Sequence, residues 1–217
     1  MSHLPIDMSK DPTPIRLFKS DFLEFFTHIT PVAVLIIWLP VIGYFLIRSI
    51  TDARGVSFPI YIPAGFLAGM FLWTLIEYTL HRFVFHFPAR GEIQERIIFL
   101  FHGVHHAQPQ CKTRLVMPPA VSIPLAFVFY GLFLLVFNVI LQVPWWIPST
   151  FAGAISGYLI YDMIHYSTHH LPMKAGYAKF LKRYHMQHHY KTPNQRFGVS
   201  SPLWDLVFRT MPQEKID

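Results

Sequence analysis

Cysteine is almost absent: Cys111 is the only one. That excludes an intrachain disulfide and any metal site built from several thiolates. Charge is also scarce, at 14% Asp, Glu, Lys and Arg, against about 25% in ordinary soluble domains. There is no Asn-x-Ser/Thr glycosylation sequon. The stretch Met1–Ser20 holds no apolar core behind a basic start, so no cleavable signal peptide is expected. In place of charge, 53% of the residues are hydrophobic and 17% aromatic. In a chain of 217 residues this is the composition of one membrane-embedded domain. The net charge of +6 does not mark a nucleic-acid binder, because the basic residues flank apolar runs and form no continuous stripe. Attraction to anionic lipid headgroups accounts for it better.

A span needs about 20 mostly apolar residues. Four stretches qualify: about 31–50, 58–80 (interrupted only by Glu77), 120–143, and 145–164, the last opening on paired tryptophans suited to an interface. Lys and Arg number 16 in the segments 1–30, 81–118 and 165–217, and two in the turn after the first span. The positive-inside rule then places both termini and the long middle segment in the cytoplasm. The expectation is an all-α integral membrane protein, multi-pass, with four transmembrane helices in two hairpins. Residues 1–30 form a cytosolic N-terminal segment and 31–217 the membrane domain. Residues 81–118 and 165–217 form a cytosolic helical cap.

Eleven of the thirteen histidines fall in four tight groups: His81 and His86; His102, His105 and His106; His165, His169 and His170; His185, His188 and His189. The topology delivers all four to one side of the bilayer. In a helix, residues at i, i+3 and i+4 share one face, so each triplet of the second and fourth groups forms a face that can close on a metal. His81 and His86, at i, i+5, stand about 140° apart on an ideal helix. They share a site only if the helix ends or bends between them, or else each serves a different metal. His3 and His28 read as ordinary partly buried polar residues. One ion cannot use eleven imidazoles, whereas two octahedral ions leave a position or more for oxygen, water or substrate. Imidazole favours zinc, copper, iron or nickel.

Glu77 precedes His81 by four residues, and Asp162 and Tyr161 precede His165 by three and four. A carboxylate accepting the distal N–H of a ligating histidine fixes its tautomer. Glu77 and Asp162 are therefore candidates to support the site. The ligands sit at span ends and beyond, not at the bilayer midplane where transporters bind their ions. This argues against a metal transporter; a non-catalytic metal-binding membrane protein stands as a further alternative.

The boxes H-x4-H, H-x2-H-H, H-x3-H-H and H-x2-H-H, in this order around hairpin spans, resemble the fatty acid hydroxylase/sterol desaturase superfamily. The stretches "LIEYTLHRFVFH", "FHGVHHAQPQCKTRLVMPP", "YLIYDMIHYSTHHLP" and "YHMQHHYKTPNQRFGVSSPLWDLVF" are most similar to the catalytic domain of fatty acid 2-hydroxylases. The resemblance implies a membrane-bound dimetal monooxygenase. It would hydroxylate the C2 position of a fatty acid or of a sphingolipid-linked acyl chain with O2 and external electrons. It implies that all eleven clustered histidines ligate, His170 being matched in only some members. Two iron ions are the expected cofactor, with zinc able to take the site in purified material. Eukaryotic members often carry an N-terminal cytochrome b5 domain. With about thirty residues before the first span, electrons are expected from a separate protein such as a cytochrome b5 or a ferredoxin. Arg114 and Tyr161 are candidate headgroup contacts, and Asp162, Tyr161 and Glu77 candidate catalytic supports. A bacterial inner membrane or the endoplasmic reticulum fits as the location. The same boxes serve sterol, carotenoid and sphingoid-base oxygenases, which stand as the alternative.

Overall fold

The computed structural model describes residues 11–53 and 59–212. Lys10, Arg54, Lys215 and His3 lie outside the described residues, as does the expected start of the second span at Phe58. The described residues form helices and no strand. In chain order these are α1 (Asp21–Phe25), α2 (Pro31–Asp52), α3 (Tyr61–Leu80), α4 (Glu92–Ile98), α5 (Val104–Ala107), α6 (Pro119–Phe133), α7 (Ile147–His170), α8 (Gly176–Tyr190) and α9 (Leu203–Val207). Three π-helical stretches interrupt the regular turns: His81–Phe85 after α3, Phe99–Gly103 between α4 and α5, and Leu134–Ile140 after α6.

Three of these helices are long and apolar enough to cross a membrane: Pro31–Asp52, Tyr61–Phe85 and Pro119–Ile140. The first is opened by Thr30, whose hydroxyl accepts the Ala33 N–H at 3.3 Å, followed by Pro31 in the first turn, where a missing N–H is harmless. The remaining long helix, α7, has the length but not the apolarity. Its sequence, IPSTFAGAISGYLIYDMIHYSTHH, is rich in small and hydroxylated residues. The reason is its position. α7 is the central post, buried on nearly every side, with α2 and α3 packed along it. It has no need of a continuous greasy surface.

Small residues set how closely α3 and α7 approach. A Cβ added at Gly69 would stand 2.0 Å from the Thr150 carbonyl oxygen, and one at Gly153 would stand 2.0 Å from that of Phe66. Backbones in contact are the usual way helices associate in lipid, where burial of apolar surface supplies little drive. Below this seam Trp38 and Trp73 both meet the Tyr158 ring, at centroid distances of 5.8 and 5.4 Å. α7 does not stop where the fourth expected span stops. It continues to His170, so His165, His169 and His170 ride on the same rigid helix.

Beyond the long apolar helices lie the short α4–α5 run and α8. α9 begins just after Ser201-Pro202, with the Ser201 hydroxyl accepting the Leu203 N–H at 3.2 Å. It docks through Trp204, whose indole N–H donates to Thr74 Oγ1 at 2.9 Å, and through Phe208, which stacks on Tyr78. Before the first span, α1 and the chain leading to it fold back over the 108–118 segment. Ile15 N donates to Gln108 Oε1, and Ile29 N donates to the Thr113 carbonyl.

Candidate metal centre

Ten of the clustered histidines come together in two sets of five. His81, His86, His102, His106 and His188 form the first, and His105, His165, His169, His185 and His189 the second. Within each set the candidate ligand nitrogens all lie within 4.8 Å of one another. In the first set Nε2 atoms meet at 3.1 Å (His81–His102), 2.8 Å (His102–His106) and 3.1 Å (His86–His188). In the second they meet at 3.0 Å (His105–His165, His105–His189 and His185–His189) and 2.9 Å (His169–His185).

Local structure explains how the rings converge. His81 and His86 are brought together by the π-helical turn between them, in which the His86 N–H donates to the His81 carbonyl at 3.1 Å. One turn of a π-helix closes over five residues, so i and i+5 come to the same face. The ring centroids stand 4.9 Å apart. Of the two possibilities that the spacing left open, the structure has the bend, with both histidines in one set. The triplets behave differently from the single shared face read from their spacing. His102 and His106 join the first set while His105 turns to the second; His185 and His189 join the second while His188 turns to the first. The α4–α5 run and α8 each serve both sets.

The donor set fits a transition metal. A metal–nitrogen bond of about 2.1 Å puts neighbouring donors about 3.0 Å apart at right angles and about 3.4 Å apart in a tetrahedron. The observed 2.8–3.1 Å separations match the right-angled case. Protonation states agree. Burial, with the neighbouring imidazoles adding to it, holds His102, His105, His106, His185 and His189 well below the usual 6.5. Burial pushes His86 down to about 3 and His188 to about 4. At neutral pH the rings are uncharged, which is the ligating form. Two of them have their other nitrogen committed. His81 Nδ1–H donates to the Phe197 carbonyl, and His188 Nδ1–H donates to that of Gln195 at 2.7 Å. Their Nε2 lone pairs therefore face the set, where a cation would satisfy them.

His170 is brought into neither set. Its ring lies against Tyr166, with centroids 4.7 Å apart, and its buried Nε2 has no hydrogen-bond partner among the described residues. The supporting carboxylates also differ from expectation, since neither reaches an imidazole. Glu77 accepts the N–H groups of Val199 at 2.6 Å and Ser200 at 2.8 Å, and the Ser200 hydroxyl. Asp162 accepts the Met117 N–H at 3.2 Å. Helical spacing placed both near the histidines correctly but could not foresee partners 45 and 122 residues away in sequence.

Beside the centre lies an apolar cavity of about 310 Å³, large enough for a ligand. His102, His105 and His165 open onto it, with Tyr161 and Asp162 one helical turn before His165. Leu17, Phe18, Leu23 and Phe26 of the N-terminal segment close its other side, a role that nothing in their spacing announced. Arg114 also borders the cavity, yet its charge is engaged within the protein. The buried guanidinium pairs with Glu24, donates to the Ile15 carbonyl and reaches His28 Nε2 at 3.0 Å. It fastens the N-terminal segment rather than standing free for a headgroup. His28 shares Thr113 Oγ1 through Nδ1 at 2.8 Å and so belongs to this fastening.

A fatty acid hydroxylase family model matches residues 66–210. An Arabidopsis thaliana dihydroceramide fatty acyl 2-hydroxylase, FAH1, is 38% identical over 213 residues, covering 98% of this chain and 85% of that protein. The Homo sapiens fatty acid 2-hydroxylase is 38% identical over 221 residues, which cover 93% of this chain and 58% of the human protein. Among solved structures, full-length scs7p, of which only the hydroxylase domain is visible, superposes with a TM-score of 0.78 at 37% identity. That match covers 90% of this chain and 73% of the other.

Proposed function

We propose, because this chain belongs to the fatty acid hydroxylase family, that it inserts a hydroxyl group at C2 of a fatty acyl chain, free or amide-linked in a sphingolipid. The observation that carries this reading is the opening of His102, His105 and His165, from both sets of imidazoles, onto one apolar cavity. Each set of five would hold one transition ion, and His170 is left without a ligand role. The two ions, iron on this reading, would supply the dioxygen activation and one-electron chemistry that an unactivated C–H bond demands; zinc would fit the same imidazoles but carries no redox chemistry.

The chain's own residues supply the rest. The cavity walls, apolar from Leu17 to Val121, take the acyl chain and keep water from the reacting carbon. Tyr161 and Asp162 stand where the cavity meets His165, so C2 is held beside them. By holding the Met117 N–H, Asp162 fixes the wall formed by residues 114–118. Arg114 and Glu24 close the N-terminal segment over the substrate.

The topology that suits this chemistry has four spans, α7 being the fourth, in two hairpins. Both termini lie on the cytoplasmic side, and a cytosolic cap comprises 81–118 and 165–217. Residues 1–30 precede the membrane domain 31–217. The exposed Phe22 and Phe25 of α1 would lie in the membrane interface. Electrons come from a separate carrier of cytochrome b5 or ferredoxin type docking on that cap. The test is mass spectrometry of lipids from a host expressing the protein beside a His105→Ala control. Expected are 2-hydroxy acyl species that vanish in the control. Their absence with iron loaded and a donor present rejects the reading.

A further inference from the structure

We infer that the segment 195–200, clamped by the buried carboxylates Glu77 and Asp205, orients His81 and His188 and makes the first set of imidazoles the tighter of the two metal sites. The inference rests on the reading that both sets bind metal.

The clamp is made of consecutive backbone groups. Asp205 accepts the N–H groups of Phe197 at 2.9 Å and Gly198 at 2.7 Å, and the Thr210 hydroxyl at 2.6 Å. Glu77 accepts the next two N–H groups, those of Val199 and Ser200. Four successive amides thus end on two carboxylates brought in by different helices, α9 and α3. Glu77 and Asp205 are 3% and 0% exposed, so no solvent competes for these bonds. The path is tight: Arg196 takes a φ of +59°, and a Cβ at Gly198 would stand 2.0 Å from the Ser201 carbonyl oxygen.

What the clamp holds still are two carbonyls. Those of Phe197 and Gln195 accept the Nδ1–H groups of His81 and His188. Both rings are fully buried and both belong to the first set. A fixed acceptor on Nδ1 sets the tautomer, aims Nε2 and raises its basicity. Among the described residues the second set has no such device, and His105 and His185 carry buried Nδ1 atoms with no hydrogen-bond partner there. Glu77 and Asp205 are thus positioning residues, acting on the ligands through the backbone and touching neither the ligand rings nor the cavity.

The test uses the full chain purified in detergent, loaded with zinc and dialysed against graded chelator, with metal per chain measured at each step. The unsubstituted protein should release metal in two steps. His169→Ala should abolish the easier step and His86→Ala the harder one. Asp205→Asn should move the harder step toward lower chelator by about 10- to 100-fold, the usual effect of losing an outer partner of a ligand, and leave the easier step in place. Ser200→Ala, which removes one of the three donors to Glu77, is the milder variant should Asp205→Asn fail to accumulate. It should move the same step in the same direction. A single step in the unsubstituted protein, no movement in the variant, or equal movement of both steps would each overturn the inference. A loaded, folded protein that retains no metal at all would instead sink the reading of the two sets as metal sites.

Discussion

Gly69→Ala tests whether the seam between α3 and α7 sets the geometry of the metal centre. The added Cβ would stand 2.0 Å from the Thr150 carbonyl oxygen and 2.8 Å from the Ala154 nitrogen, both backbone atoms that no rotamer change can move. Ordinary contact begins at 3.4 Å, so the two helices must part by 1.4 Å at this point. α7 cannot simply retreat, because α2 is packed along it. The strain falls on the helices that carry His81 and His86 at one end of α3 and His165 and His169 at the end of α7. Overpacking of this kind costs about 1–3 kcal/mol. A misplacement of about 1 Å in a catalytic array costs on the order of 100-fold in rate. Gly69→Ala should therefore lower 2-hydroxy product about 100-fold per molecule of protein, with a fall in melting temperature of about 2–12 °C at roughly 2–4 °C per kcal/mol. Gly43→Ala and Gly131→Ala are the controls. Nothing lies within 4 Å of a Cβ at either, so each should be neutral or gain about 0.5–1 kcal/mol from a stiffer helix. The assay is product quantified by mass spectrometry against protein, with thermal unfolding in detergent. If Gly69→Ala behaves as Gly43→Ala does in both, helix approach does not govern the centre.

Three further outcomes are expected. His170→Ala should keep the metal content of the unsubstituted protein, because His170 belongs to neither set; loss of one ion per chain would return it to the ligands. Glu24 is held below its usual 4.5: burial opposes this, but the Phe18 and Leu17 N–H groups and the Arg114 charge outweigh it. Its contribution is thus complete above pH 4.5 and is lost as pH falls through the lower folded value. Hydrogen exchange at residues 11–27 should accelerate in that acid range, and already at neutral pH in Glu24→Gln, where a protected segment would contradict the fastening. Met117 borders both the large cavity and a smaller apolar one of about 30 Å³ beside Trp38, Trp73 and Phe129. Met117→Ala should join them and shift 2-hydroxy products toward longer chains, each extra methylene accommodated changing preference by about tenfold. An unchanged chain-length profile at undiminished product would show that the chain runs elsewhere.

Much of the architecture is legible because hydrophobic length and helical spacing are local signals. Three apolar runs read from the sequence are long apolar helices, and the histidine triplets at 102–106 and 185–189 lie on helical stretches, as their spacing suggests. α7 shows the limit. Its many small residues are selected by neighbours on every side, so its hydropathy understates its burial. Contacts across the chain are less legible still. Nothing near Glu77 announces Val199 and Ser200 as its partners, nor does Arg114 announce Glu24, 90 residues earlier. Those partners depend on which helix ends meet, and that is decided by packing. The π-helical turn at His81–Phe85 is an intermediate case: the i, i+5 spacing left open either a departure from α-geometry or service to two metals, and only packing decides between them.

The division of the triplets follows from helical pitch and explains why the boxes read H-x2-H-H. On an ideal helix, i and i+4 lie about 40° apart, while i+3 lies about 60° to the other side of i. His102 and His106 can therefore converge on one point while His105 reaches a second beside it, and His185 and His189 do the same while His188 crosses over. Because the α4–α5 run and α8 make this assignment in opposite senses, each set draws on both. Moving either helix deforms both sets together. The stacking of His106 on His189, with ring centroids 4.1 Å apart, lies on the border where the two sets touch. A box with its histidines at i and i+4 alone would feed one set and leave the other a donor short. The third histidine is what joins two five-nitrogen sets into one centre.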